Sequence, residues 1–347
     1  MPLVLELARL SAVLMFLTIA LFLLSAGAIY VACEFFVNGV EWLGKRLNLA
    51  ATATGTVLAA FGTALPESAV TFVAVVFGRT AQDRDLGVGA AVGGPLVLAT
   101  IAYGVVGGAL LANHRRVPRP TTKVAIDQCR LSRDQGWFLG VFACTVALGL
   151  VSFTLKPWLA FLFVFAYGMY VWRELRTGET APEEHDIEPL KLRPHTPEPS
   201  LVWALVQTVG ALGVIALASR VFVSQLEHLG TALGVAPHIV ALLLSPVATE
   251  LPETLNALIW VRQGKERLAL ANISGAMMVQ TTIPSALGLY FTPWQFDGPL
   301  LVAGLVSGIA VLTLWNLFRR NAMTGRALTS VGLLYLLFAA YVAWQFM

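Results

Sequence analysis

In this chain the apolar positions neither alternate nor recur every third or fourth residue; they run on. Mostly apolar stretches occupy 11–43, 50–77, 86–112, 136–153 and 156–173 and, after a polar interval, 201–231, 237–262, 268–292, 298–318 and 328–346. A helix rises about 1.5 Å per residue, so about twenty such residues cross the hydrocarbon core of a bilayer. The pattern predicts an all-α membrane protein with ten transmembrane helices and leaves no room for a separate soluble domain. Composition strengthens this: 57% of the 347 residues are hydrophobic and 12% are charged, against about a quarter charged in soluble domains. The opening segment, with Arg9 ahead of an apolar run and "SAGA" at 25–28, has the look of a cleavable leader. The run continues to about residue 43, however, and has a counterpart later in the chain, so a retained helix is expected.

Ten spans put both termini on one side, and the basic residues test that count. One set of alternate loops holds most of them, from Lys45 and Arg46 through Arg115, Arg116, Arg130, Arg133, Arg173 and Arg176 to Arg319, Arg320 and Arg326. The other side holds only Arg9, Arg79, Arg84 and Lys156. By the positive-inside rule the first set is cytoplasmic, both termini are outside, and an inner (plasma) membrane is the expected location. The net charge of +3 sits in these loops, so no nucleic-acid surface is read from it. Cys33, Cys129 and Cys144 lack metal spacing and imply no disulfide framework.

The segment 174–200, rich in proline and acids, divides the chain into two halves of five helices, 1–173 and 201–347, and is expected to be cytoplasmic. His185 and His195 with Glu183, Glu184 and Asp186 suggest a metal-sensing patch, but a solvated linker is the plainer reading. Sliding the sequence by 186 positions superposes Phe36 on Phe222, Glu41 on Glu227, Gly44 on Gly230, Thr63 on Thr249, Pro66 on Pro252 and Glu67 on Glu253. A four-residue shortening then aligns "DLGVGAAVGG" at 85–94 with "RLALANISGA" at 267–276. This is an internal repeat. Because five is odd, the second copy enters the membrane from the opposite face, so the two repeats have inverted topology.

At the heart of each copy stands an acid after a proline, in "FGTALPES" (61–68) and "VATELPET" (247–254). An ionised carboxylate at mid-membrane costs several kcal/mol unless something compensates it. Proline removes a helix hydrogen bond and frees a carbonyl, so both motifs are expected to mark helix breaks at the midplane. Freed carbonyls with Glu67 and Glu253 would form an all-oxygen cage suited to a hard divalent cation, Ca²⁺ above all. That is the pattern of a secondary transporter. A purely structural role for the acids would need a buried cation, and Arg220, the one basic residue inside a span, is offset from both. No serine–histidine pair or histidine-rich metal motif accompanies the acids, so an enzyme is not expected, nor any cofactor. A channel or a non-transporting sensor stays open, although a tight two-acid cage in an inverted repeat favours exchange.

On these motifs the sequence resembles the cation/calcium exchanger superfamily, whose sodium/calcium exchangers carry two repeats with a Gly-Thr-Ser-x-Pro-Glu core. The resemblance covers nearly the whole chain. It implies that Glu67 and Glu253 are the central calcium ligands and that the backbone carbonyls of Thr63 and Thr249 complete the site. Where family sodium exchangers have serine, this chain has Ala64, Glu250, Gly94 and Ala276, and where they have polar or acidic ligands it has Leu98 and Gln280. Most side-chain oxygens expected for sodium are therefore missing.

Glu250 stands three residues before Glu253, on the same face of a continuous helix. Two close carboxylates in a dry site do not both ionise without a cation, so the pair would hold a proton when empty and release it when a divalent ion arrives. The expected function is divalent cation antiport against H⁺, with Na⁺/Ca²⁺ exchange through an altered sodium site as the alternative. The opposing reading puts Glu250 in a water-filled vestibule. Asn256 and Gln280 are candidates for further neutral oxygens or for interhelical hydrogen bonds. "AVGGPL" at 91–96 predicts a close helix approach, which Asn272 and Ser274 would match in the eighth span. Trp42, Trp137, Trp203, Trp294 and Trp344 are expected as interfacial anchors, and Glu41 and Glu227 as solvated or salt-bridged acids.

Overall fold

Backbone N–H and C=O groups in lipid must find partners within the chain, which makes helix the default for every apolar run. The computed structural model describes residues 2–49, 53–77, 81–112, 128–176, 187–232, 234, 243 and 245–345, without the side chains of 2–12, 65–67, 69–70, 73–74, 81–86, 227, 231 and 245. Among the described residues the fold is all-helical and no β-strand forms. Helix α1 spans Pro2–Arg46. α2 (Ala60–Phe72) is flanked by π-helical turns at Thr54–Ala59 and Val73–Phe77. α3 (Ala81–Val97) continues through a π-helical turn, Leu98–Ala102, into α4 (Tyr103–Ala112). α5 (Gln128–Leu150), α6 (Ala160–Arg176) and α7 (Leu201–Ala232) follow. The rest is α8 (Ser245–Thr249), α9 (Leu251–Arg262), α10 (Glu266–Phe291), α11 (Gly298–Arg319), α12 (Gly325–Gly332) and α13 (Leu334–Gln345). Among the described residues five helical stretches, Val13–Arg46, Gly87–Ala112, Leu201–Gly230, Gly298–Arg319 and Gly325–Gln345, are long and apolar enough to cross a membrane by length and composition.

α10 is the buried axis: nearly all of its side chains are enclosed, with α2, α3, α5, α6 and α9 packed around it. Large apolar side chains point outward instead on the surrounding helices, among them Phe16 and Leu24 of α1, Phe165 of α6, Leu217 of α7 and Leu337 of α13. A water-facing surface does not carry apolar coverage of this extent, whereas a lipid-facing one requires it. The long helices α1 and α7 lie against each other, with the rings of Phe22 and Phe222 stacked at 4.5 Å. A side chain on Gly39 would run into Thr208, so the two backbones approach closely there.

Several expectations are corrected. α2 runs through Pro66 without a break, and π-helical turns flank the helix at both ends. The fourth helix begins at Gln128, not near 136, so the polar stretch before it forms its first two turns, with Arg130, Ser132, Asp134 and Gln135 buried. The described part of the linker, 187–200, is docked rather than free. The Glu188 carbonyl accepts from Asn38 Nδ2 (3.1 Å) and Trp42 Nε1 (3.0 Å), Arg46 Nε donates to the Pro199 carbonyl (2.8 Å), and Leu190 is fully buried. His195 is exposed; His185 and its acidic neighbours lie outside the described residues. Trp42 and Trp294 are packed inside the protein rather than at an interface, while Trp344 is exposed as expected.

Trp294 belongs to a tie between two connections. Its backbone is in the left-handed region, φ 48°, and its ring fills the space left by the absent side chain of Gly288. Its indole donates to the Thr145 carbonyl (3.1 Å). Lys156, buried between α5 and α6, donates to the carbonyls of Val151 (2.7 Å), Pro293 (2.9 Å) and Trp294 (2.7 Å). Removing the ammonium leaves these carbonyls without that donor, at a cost of about 2–4 kcal/mol by the usual magnitude for charged hydrogen bonds and stranded buried groups. Lys156→Ala is therefore expected to lower the thermal midpoint of the detergent-solubilised protein, read by the loss of its monodisperse gel-filtration peak after heating.

Candidate ion-binding site

The seventh apolar run is where the chain breaks. α8 ends at Thr249, Glu250 has φ −86° and ψ 5°, and α9 begins at Leu251 with Pro252 in its first turn. Proline in a first turn costs nothing, because its missing N–H would be unsatisfied there anyway. The same missing donor deprives the Ala248 carbonyl of its helical partner, as Pro66 deprives that of Gly62. The freed carbonyls thus lie one position before Thr249 and Thr63. The threonine hydroxyls themselves turn back on their own helices, Thr249 Oγ1 to the Pro246 carbonyl (3.1 Å) and Thr63 Oγ1 to that of Ala59 (3.1 Å).

Glu250 and Glu253 are both sealed from solvent, at 0% and 1% exposure, so Glu250 does not face a vestibule. Gln280 of α10 donates its Nε2 to Glu250 Oε1 at 2.7 Å. A Cβ on Gly94 of α3 would stand 2.5 Å from Gln280 Oε1 and 2.8 Å from Glu250 Oε1. The glycine is therefore what lets the carboxylate and the amide occupy this spot. Gly93 similarly lies against the ring of Pro246 in α8, so the close approach read from "AVGGPL" is present. On α10 the matching close approach is made by Gly275, where an added Cβ would overlap the Thr56 backbone and Ala60, rather than by Asn272 and Ser274.

Around the acids the polar atoms are under-used. Both amide atoms of Asn256, fully buried one turn beyond Glu253, have no hydrogen-bond partner among the described residues. Asn272 reaches the Glu253 carbonyl with its Nδ2 (3.5 Å), while its Oδ1 and Gln280 Oε1 accept from no described donor. Stranding buried polar atoms costs free energy, and a cluster of neutral oxygens beside two carboxylates fits an oxygen-coordinated cation. Among the described residues no three Asp, Glu, His or Cys side chains converge as a metal cluster. The side chain of Glu67 lies outside the described residues; its backbone is in α2. Cys33 of α1 donates its thiol to the Pro252 carbonyl (3.8 Å), which puts the long helix in contact with the broken segment.

Two charged clusters escaped the sequence reading in whole or in part. Arg130 Nη2 pairs with Glu174 at 2.5 Å, and Thr56 Oγ1 donates to the same carboxylate (3.4 Å). Beside them Gln135 Nε2 bonds the Tyr103 hydroxyl (2.8 Å) and Ser274 Oγ (3.1 Å). The i, i+4 spacing of Arg130 and Asp134 is the signal that these belong to a helix rather than a loop. Glu41 is salt-bridged but not solvated: it is buried, pairs with Lys265 and accepts from Trp260 Nε1 (2.8 Å). The side chain of its counterpart Glu227 is outside the described residues.

An all-helical protein with lipid-facing apolar flanks, a broken helix and sealed acids at the break has the build of a membrane ion carrier, not of an enzyme. The chain belongs to the sodium/calcium exchanger protein family, whose model matches residues 17–175 and 203–347. It is 26% identical over 319 residues to the "Putative antiporter CaxA" of Alkalimonas amylolytica, covering 88% of this chain and 93% of that one. It is also 26% identical over 338 residues to inner membrane protein YrbG of Escherichia coli K12, covering 95% and 96%. The solved sodium-calcium exchanger NCX_Mj superposes with a TM-score of 0.73 at 19% identity, covering 94% of this chain and 99% of that one. At that identity the likeness speaks to the fold.

Gly94→Ala tests the glycine directly. The added methyl is expected to push Gln280 off Glu250 and to weaken divalent cation binding at least about tenfold, a loss equivalent to one good charged hydrogen bond. Isothermal titration of the purified variant with Ca²⁺ and with Mn²⁺ measures it, with an unchanged gel-filtration profile as the check on folding.

Proposed function

We propose that this chain is a secondary active antiporter that moves Ca²⁺ or a related divalent cation by alternating access in exchange for protons. One observation carries the reading: Glu250 is fully buried one turn from Glu253, with an amide of Gln280 on one of its oxygens. Glu67 and Glu253 serve as ligands to the transported ion, with the backbone carbonyls of Gly62–Thr63 and Ala248–Thr249, and Asn256 and Gln280 offer neutral oxygens. With the site empty, like charges this close share a proton; an arriving divalent cation makes full ionisation favourable and expels it. Competition between ion and proton for the same oxygens is what couples one gradient to the other.

The architecture in this reading is ten spans in two inverted repeats, 1–173 and 201–347, joined by 174–200 on the cytoplasmic side, with both termini outside. Equivalent small residues support it. Gly93 and Gly275 correspond in the repeat alignment and touch Pro246 and Ala60, which also correspond. The long helices α1 and α7 are then the pair that slides past the core of α2, α3, α9 and α10. Sodium in place of the proton is the second reading, favoured by the names of the family and of NCX_Mj.

Reconstituted in liposomes, the protein is expected to take up Ca²⁺ against an imposed proton gradient without sodium, and Glu67→Gln and Glu253→Gln each to abolish this flux. Glu250→Ala should leave divalent exchange measurable while its proton dependence disappears. Flux that follows only a sodium gradient would replace the proton by sodium. Proton coupling that survives Glu250→Ala would remove Glu250 from the mechanism.

A further inference from the structure

At the basic ends of α5 and α6 a cavity of about 470 Å³ opens on the outer surface, lined by Arg133, Gly136, Trp137, Gly140 and Cys144 of α5 and by Arg173 of α6. It lies apart from the acids at the helix break. Its walls are almost wholly apolar, and the two guanidinium groups show only an edge to it. Gly140 is exposed and a Cβ there would meet nothing, so the depression is open rather than filled by a neighbour. On the α11 side the absent Gly136 side chain leaves Trp315 Nε1 as the closest atom, 3.3 Å from where a Cβ would stand. The Arg173 guanidinium sits over the Trp137 ring, 5.9 Å from its centroid, at the mouth.

We infer that this groove holds an anionic phospholipid, its phosphate on Arg133 and Arg173 and one acyl chain along Gly136, Gly140 and Cys144. Dimension is the first argument. From Arg133 to Cys144 the helix rises about 16 Å at ~1.5 Å per residue, close to half of the ~30 Å hydrocarbon core, which is one leaflet. Charge is the second. These helix ends carry Arg130, Arg133, Arg173 and Arg176 against two carboxylates, Asp134 and Glu174, of which Glu174 is paired with Arg130. The surplus is positive at one end of the groove, and a basic pocket between membrane helices is suited to a lipid headgroup. Guanidinium groups bind phosphate through paired, charge-assisted hydrogen bonds, and Trp137 is the amphipathic side chain that suits this level.

The test is native mass spectrometry of the full chain in detergent with dioleoyl phosphatidylglycerol, dioleoyl phosphatidylcholine and inorganic phosphate as probes. Phosphatidylglycerol is expected to be retained and phosphatidylcholine, with identical chains, to be lost. Arg133→Gln and Arg173→Gln should each weaken retention about tenfold, the scale of one charged hydrogen bond. Gly140→Leu should prevent retention with both arginines intact. Equal retention of phosphatidylcholine would overturn the proposal, as would undiminished phosphatidylglycerol in the Arg133→Gln and Gly140→Leu variants, both at exposed positions that tolerate change. Displacement of the lipid by inorganic phosphate alone would make this a simple anion site and overturn it too.

Discussion

Two carboxylates one turn apart, both sealed from water, set the terms for the rest of this molecule. Holding one ionised acid in such surroundings costs several kcal/mol, and a second beside it costs more, unless a cation or a proton is present. The neighbourhood is arranged around that cost. The chain breaks at Glu250, which caps the helix that carries Glu253; Gly94 gives up a side chain to make room; and Gln280 brings a donor. α10, which supplies Gln280 and Asn272, is buried along most of its length, as the element that seals such a site has to be.

A site that must open to each side in turn needs contacts that hold and contacts that yield. The small-residue contacts, Gly93 on Pro246 and Gly275 on Thr56 and Ala60, fix core helices to one another at backbone distance, where packing leaves no slack. The connection between α1 and the core combines one such contact, Gly44 on Thr54, with polar ones. It runs through Cys33 to the Pro252 carbonyl and through the buried Glu41–Lys265 pair with Trp260. Such a pair is a poor source of net stability but a strict one for position, since separating the partners strands a charge. If α1 slides against the core, that pair and the thiol contact are what it exchanges.

The sequence carried the helical class, the positions of the apolar runs, the break at "ATELP" and the glycines of "AVGGPL", because each follows from local rules of hydropathy, proline and missing side chains. It misled wherever polarity was taken for exposure. Arg130, Asp134 and Gln135 look like loop residues in one dimension but are buried within the first turns of a helix, and the linker looked solvated although Asn38, Trp42 and Arg46 hold it. Trp294 passed for an interfacial anchor because its burial depends on Gly288, six residues away, and on Lys156. At the site, the pairing of Gln280 with Glu250 was not legible either, since nothing in the spacing of 250 and 280 places them on facing helices.

Positions 94 and 250 are best read together. In the sodium exchangers that this chain resembles, both bear hydroxyl side chains; here one has shrunk to Gly94 and the other has grown to Glu250. The geometry explains the exchange of volume, because the missing Cβ of Gly94 is what Glu250 Oε1 and Gln280 Oε1 approach. In place of two neutral oxygens, suited to a monovalent ion, there is one more negative charge beside Glu253. A third carboxylate at a site with Glu67 and Glu253 would exceed the charge of a single divalent ion. The change at 94 is thus the steric condition for the change at 250.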